Sequence, residues 1–394
     1  MPANNKQKLG DLFRNRRERG LPGLPVVSVT LNDGLVGRDT LDRKTDTNLA
    51  PEEHLLIKVG DIAYNMMRMW QGASGLAQHD GIVSPAYVVL APKNGIDSLF
   101  ASYWFKSPRL VYLFWAYSYG LTNDRLRLYF KDFVRIPVSV PTHDEQVRIG
   151  KILSLWDTAI VQTEKLIEAK RKLKTGLMQQ LLTGQRRFPG VEGEWKDTPL
   201  GQMGRCLSGG TPDTNNSSYW NGGIQWCTPS EITSLNSKYI SSTERTLSND
   251  GLNNSSANLL PPNTLIVCTR ATVGDCAINT YPMATNQGFK SLILKQEYSP
   301  EFVYYLICHN KHKLVRYASG STFLEISMRD FCNLTFPVPE RSEQNRIAQL
   351  LNALDKEIET LYRLSDRLKG QKRGLMQKLL TGQARVKSAR RELR

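Results

Sequence analysis

The residue types that most often carry chemistry are sparse in this chain. Five histidines, His54, His79, His143, His309 and His312, are scattered along 394 residues. His309 and His312 stand at helical i, i+3 spacing, but no H-E-x-x-H context or nearby ligand set makes a metal site of them. The six cysteines (Cys206, Cys227, Cys268, Cys276, Cys308, Cys332) all fall in the second half without a C-x-x-C pair. With no export signal to go with them, free thiols are expected and a disulfide framework is not. Glu168-x-Lys170 has the form of the end of a nuclease motif, but it lacks the preceding acidic residue and lies in a helical pattern, where a solvated face is the plainer reading. There is no G-x-x-x-x-G-K-[ST] phosphate loop, no glycine-rich cofactor loop after a strand, and no Asn-Pro-Pro-aromatic or Asp-Pro-Pro-aromatic tetrapeptide of an amino-methyltransferase. The sequence reads as a binder that holds no cofactor or metal and is not an enzyme by itself.

Binding chemistry is better represented. The formal net charge is +15, which points to a polyanionic partner, nucleic acid first, because phosphate contacts dominate its affinity. A strand-like run ends at Tyr64 and is followed by Asn65, Arg68, Trp70 and Gln71, types that read base edges: arginine pairs with guanine, and asparagine or glutamine with adenine. The same stretch is equally readable with Met66 and Trp70 in the core and Arg68 as a surface charge. A second cluster, Asn123-Asp124-Arg125-Leu126-Arg127 with Lys131, suits phosphates or plain solvated charge. In the second half, Thr211, Tyr219 and Trp220 lie in SGGTPDTNNSSYWNGGIQW, a composition that fits a polar recognition loop or a turn-rich surface. Arg270 follows a strand much as Arg68 does, with Gly274 echoing Gly72, and Gln287 and Lys290 lie in ATNQGFKSLIL.

These candidates are positioned by a duplicated frame. Residues 145–187, EQVRIGKILSLWDTAIVQTEKLIEAKRKLKTGLMQQLLTGQRR, align without a gap to residues 343–385, EQNRIAQLLNALDKEIETLYRLSDRLKGQKRGLMQKLLTGQAR, at an offset of 198. Asp132-Phe133 matches Asp330-Phe331, and Val140-Pro141 matches Val338-Pro339, at the same offset. Two successive copies of one unit are implied. Ile149, Leu153, Trp156, Ile160, Thr163 and Ile167 step by four and three, and Leu177 and Leu181 return to the stripe. Ile347, Leu351, Leu354, Ile358, Leu361, Leu368, Leu375 and Leu379 repeat it, a seam suited to a coiled coil; packing of each helix on its own domain is the alternative. Lys170, Lys174, Ser365 and Lys372 interrupt the seam, which suggests that this stretch meets another protein.

The expected organisation is α+β. Residues 1–144 and 186–342 form two mixed α/β domains, and two long antiparallel helices, residues 145–185 and 343–383, separate them as a pseudo-two-fold repeat; residues 384–394 form a basic tail. About 35 helical residues rise roughly 50 Å. No apolar run reaches membrane-spanning length and no export signal is evident, so a cytoplasmic location is expected.

The doubled GLMQQLLTGQRRFPG and GLMQKLLTGQ ends, the E-Q-x-R-I starts, GGTPDTNNSSYWNGGIQW, and YNMMRMWQGASG with DGIVSPAYVVL resemble the specificity (S) subunits of type I restriction-modification systems over nearly the whole chain. The resemblance implies two target recognition domains, each reading one half of a split double-stranded DNA sequence. It also implies two modification subunits that use S-adenosylmethionine to methylate adenine, and restriction subunits that use ATP and Mg. Trp156, Ile160, Ile167, Leu177, Leu354, Ile358 and Leu375 are the expected partner-binding positions on the helices. Two other classes remain: a self-sufficient DNA-modifying enzyme with unfamiliar motifs, and a coiled-coil structural or regulatory protein that binds DNA outside restriction-modification.

Overall fold

A computed structural model describes residues 7–41, 49–122, 125–318 and 325–386. Asn123 and Asp124 of the basic cluster, and residues 387–394 of the expected tail, lie outside these. The chain divides into two compact units, one of residues 1–164 with 363–394 and one of residues 165–362, so each long helix contributes to both.

In the first unit an antiparallel sheet runs in the order Phe13–Arg16, Tyr87–Pro92, Ile62–Asn65, Ser74–Leu76. The central strands are apolar on both sides, as strands covered on both faces must be, and Ile62, Ala63, Tyr64, Val89 and Leu90 are fully buried. Two helices follow, Ser98–Trp104 and Pro108–Ala116. Each starts on a side chain that accepts a backbone N–H of the first turn: Asp97 from Phe100, and Ser107 from Leu110 with Pro108 at the first helical position. Phe105, Phe114 and Phe133 from this part interlock with Phe13, with ring centroids 5.4 to 6.2 Å apart.

The second unit repeats that frame. Its sheet order is Gly204–Ser208, Phe289–Leu294, Leu265–Cys268, Cys276–Asn279, and a short parallel strand, Tyr239–Ile240, extends the edge. A three-stranded sheet of Arg245–Leu247, Trp220–Cys227 and Met283–Thr285 is added. The helix Pro300–His309 packs Phe302, Val303, Tyr305 and Leu306 into the core.

The E-Q-x-R-I starts have a clear structural meaning. In the first unit Gln146 Nε2 donates to Gly95 O (3.0 Å) and Pro141 O (2.9 Å), while its Oε1 accepts from Asp97 N (2.9 Å). In the second, Gln344 does the same with Glu297 O, Pro339 O and Ser299 N. Both glutamines are buried, and each ties the start of a long helix to the residue that caps a domain helix.

The long helices span His143–Leu181 and Arg341–Leu380. Both packing alternatives hold, in different stretches. Ile149, Leu153 and Leu379 belong to the first unit's core, and Leu181, Ile347, Leu351 and Leu354 to the second's. Elsewhere the helices pair with each other and run antiparallel within each unit. In the first unit Asp157 meets Lys372, and Glu164 meets Lys369 at 2.7 Å. In the second, Lys170 meets Glu357 at 2.8 Å, Lys174 meets Asp355, and Arg171 lies over the Tyr362 ring. The polar interruptions therefore differ from their expected role: Lys170, Lys174 and Lys372 cross-link the helices, and Ser365 is buried. A lysine on the seam is accommodated because its long stem reaches past the apolar contact to a carboxylate on the facing helix.

Candidate nucleic-acid interface

In the first unit the strand Ile62–Asn65 runs into a tight loop that displays the candidate readers. Asn65 Oδ1 accepts from Met67 N (3.0 Å), Trp70 Nε1 donates to Met67 O (3.1 Å), and Arg68 Nη1 reaches Gln71 Oε1 at 3.3 Å. Arg68 is exposed, while Asn65, Trp70 and Gln71 are half-buried. The apolar anchor of the loop is Met69, fully buried, rather than Met66 or Trp70. Gly72 closes the loop at φ +86°, and its carbonyl accepts from Lys106 Nζ at 2.7 Å. Burial lowers the Lys106 ammonium to about 8, with Asp33 opposing.

Arg125 and Arg127 are exposed on either side of buried Leu126, and Arg127 exchanges both backbone hydrogen bonds with Tyr119. Lys131 is exposed 5.9 Å from the Tyr129 ring. Beside it opens a cleft of about 590 Å³ walled by Asn15, Arg17, Tyr87, Tyr129 and Lys131. Only Lys131 of these was expected from the sequence. The available signal was FRNRRERG, where a buried Phe13 starts a strand that continues through Asn15 to Arg16, which is tied to Asp61.

In the second unit four separate segments converge. Thr269 N donates to Gly288 O, Ile326 N to Thr269 O, Gly210 N to Thr285 O and Gly288 N to Asn286 Oδ1. Together these bring Thr211, Arg270 and Gln287 to one end of the sheet, where the Thr211 hydroxyl donates to Gln287 Oε1. Ala271, next to Arg270, holds φ +63°, a conformation that costs a non-glycine residue roughly 1–3 kcal/mol and that fixes the direction of this loop.

Two expected residues take other roles. Lys290 is buried and faces Oε1 of the partly exposed Glu325 at 3.4 Å, so its charge is paired within the chain. Trp220 is 9% exposed and edge-packed on Trp226 at 5.0 Å; its Nε1 donates to Asp213 O, and the Arg245 guanidinium lies 3.6 Å from its ring centroid. An aromatic with its polar atom bonded and its face covered builds the added sheet and leaves no surface for a base. Tyr219 is half-buried beside it.

On the helices, Ile160, Ile167 and Leu354 are buried within the chain. Leu177 and Leu375 pack partly buried against the two cores, and Trp156 and Ile358 are half-buried. Apolar side chains that do face outward are their neighbours: Leu155, Val161 and Leu364 in the first unit, Leu166 and Leu173 in the second. Among the described residues, no group of three or more His, Cys, Asp or Glu is arranged to hold a metal ion, and no helix is long and apolar enough to cross a membrane.

Residues 192–369 match the family described as the type I restriction modification DNA specificity domain. The specificity subunit of the type I restriction enzyme MjaIX from Methanocaldococcus jannaschii is 32% identical over 168 residues, 42% of this chain and 39% of that protein. The EcoR124I/EcoR124II specificity subunit of Escherichia coli is 26% identical over 233 residues, 56% of this chain and 55% of that protein. The chain thus aligns with about half or less of the length of these two relatives. The fold as a whole is similar to the HsdS subunit from Thermoanaerobacter tengcongensis, with a TM-score of 0.54 and 16% identity over 98% of each chain. On these matches, the second half of the chain is similar to type I restriction modification DNA specificity domains, and the fold as a whole is that of the solved HsdS subunit.

Proposed function

We propose that this chain is the DNA specificity subunit of a type I restriction-modification complex and that its two units each read one half of a bipartite duplex. The observation that carries this reading is the pairing of a repeated frame with unlike display. Gln146 and Gln344 make the same three hydrogen bonds in both units. By contrast, the loops at the strand ends present Arg68, Trp70 and Gln71 in one and Thr211, Arg270 and Gln287 in the other. A frame kept constant under different polar side chains suits two readers of different half-sites, because base-edge contacts carry the sequence information and the scaffold carries none.

The chain itself takes no catalytic part in this reading. S-adenosylmethionine belongs to two modification subunits, ATP and Mg to restriction subunits, and the complex works in the cytoplasm. Docking falls to the outward apolar residues of the long helices, Leu155, Val161, Leu166, Leu173 and Leu364, because the inward seam is occupied by the chain's own packing.

The deciding experiment replaces residues 1–144 with those of a relative and maps methylated adenines across a genome in the presence of the modification subunits. One half of the recognised motif should change while the other stays. A change in both halves, or in neither, would remove the one-unit, one-half-site assignment. Methylation or cleavage by the purified chain alone, given S-adenosylmethionine and DNA, would instead favour a self-sufficient enzyme.

A further inference from the structure

The two units can be compared position by position through backbone contacts they share. Asn15 pairs with Leu90 where Cys206 pairs with Leu292, and Val88 lies opposite Tyr64 where Lys290 lies opposite Val267. The carbonyls of Met66 and Thr269 accept from Leu128 N (2.9 Å) and Ile326 N (3.0 Å), which makes Arg127 the counterpart of Glu325. Ser208 follows Leu207 as Arg17 follows Arg16, so it occupies the place of Arg17.

On that correspondence the second unit fills the position with the buried Lys290, which pairs with the partly exposed Glu325 at 3.4 Å. The first unit leaves it open. Val88 contributes no charge, and the roughly 590 Å³ cleft is walled by Asn15, Arg17, Tyr87, Tyr129 and Lys131 with no carboxylate in its lining. The adjacent Arg16 is tied to Asp61 at 2.6 Å, whereas Arg17 and Lys131 are exposed and form no ion pair among the described residues. Because the same frame folds with the position filled, the open cationic cleft is not a requirement of the fold.

Two uncompensated cations, an amide and two phenols without an acid match a polyanion that also offers hydrogen-bonding edges. Resting on the proposed function, we infer that this cleft reads the first half-site: Arg17 and Asn15 contact base edges, and Lys131 holds a flanking phosphate. Arginine is bidentate to guanine O6 and N7, and asparagine to adenine N6 and N7; a lysine is a point charge suited to a phosphate. Tyr87 and Tyr129 shape the walls and limit which edge enters.

The test uses the complex assembled with its modification subunits. Its probes are duplexes that carry the wild-type methylation motif and pools randomised in either half. R17A and N15A should each relax one base position of the first half, with discrimination falling about 10- to 100-fold. K131A should weaken all duplexes alike and lower the salt dependence by about one counterion. The second half should stay fully specified in all three, which also reports that the variants are folded. If R17A and N15A keep the first-half motif, or weaken every duplex equally, base reading by the cleft is overturned. A wild-type complex with no preference for any split motif would overturn the proposed function as well, and this outcome is distinct from the variants' failure.

Discussion

Gln344 Oε1 accepts the backbone N–H of Ser299 at 2.8 Å, and Ser299 in turn caps the helix Pro300–His309 with its hydroxyl. One buried amide thus joins the start of a long helix to the start of a domain helix, and Gln146 with Asp97 repeats the arrangement. The amide supplies both a donor and an acceptor, which no carboxylate or aliphatic side chain of this size does.

Removing that amide leaves the Ser299 N–H and the carbonyls of Glu297 and Pro339 buried without it. Q344A should therefore destabilise the second unit by about 2–4 kcal/mol. Hydrogen exchange should locate the damage, with the Ser299 amide losing protection while the Asp97 amide keeps it; Q146A should do the reverse. Equal loss at both amides in either variant would contradict a clamp local to its unit.

Asp355 on the second long helix receives Lys174 from the first, Lys238 at 3.2 Å and the Tyr305 hydroxyl. Burial works against its charge, but the hydrogen bonds from Lys174 and Tyr305 and the two ammonium charges outweigh it and hold the carboxyl below its usual range. A carboxyl depressed in the folded state stabilises above its unfolded value, near pH 4, and that contribution is lost as pH falls through the folded value. D355N should cost about 1–2 kcal/mol at pH 7, discounted because the side chain is 30% exposed. The difference between wild type and D355N should shrink on acidification below about pH 4 in thermal or urea unfolding. A difference constant from pH 7 to pH 2.5 would contradict it.

Cys268 supplies a titration of opposite sign. It is fully buried on the Leu265–Cys268 strand, and burial pushes its thiol from the ordinary value of 9.0 up to about 12. The unfolded chain ionises this thiol first, so its stabilising contribution is complete below pH 9 and disappears between 9 and about 12. Across that window the advantage of wild type over C268A should fall by up to about 1.4 kcal/mol per pH unit. Urea unfolding at pH 8, 9.5 and 10.5 measures it, and a pH-independent advantage would refute the buried-thiol origin.

The repeat and its two helices are legible in the sequence because they rest on local periodicity and an offset that survives alignment. The role of the seam lysines is not legible: whether Lys174 repels or cross-links depends on Asp355, some 180 residues away in sequence. Lys290 fails for the same reason, since only the fold brings Glu325 to it. Arg68 and Gln71 were readable as a group because they share one loop. The cleft of Asn15, Tyr87 and Tyr129 draws on three distant segments, each unremarkable alone. Trp220 was misleading in the opposite way: a polar, glycine-rich context hid an aromatic core pair with Trp226.

Glycines set the position of both candidate reading regions and allow a comparison that does not alter any candidate contact. A Cβ on Gly209 would lie 2.0 Å from Asn286 O and 2.4 Å from Thr285 O, so G209A must displace the turn that carries Gln287. A Cβ on Gly75 would lie 2.2 Å from Leu35 N, on the strand that follows the Arg68 loop. Backbone neighbours cannot rotate away as side chains do, so each substitution shifts the loop it supports. Under the proposed function, G209A should degrade the second half of the methylation motif and leave the first intact, and G75A should do the converse. The readout is the motif recovered from genome-wide adenine methylation, not total activity, which either variant would lower through folding alone. If both variants lose methylation yet retain an unchanged motif, the loops at these strand ends support the fold without reading the DNA.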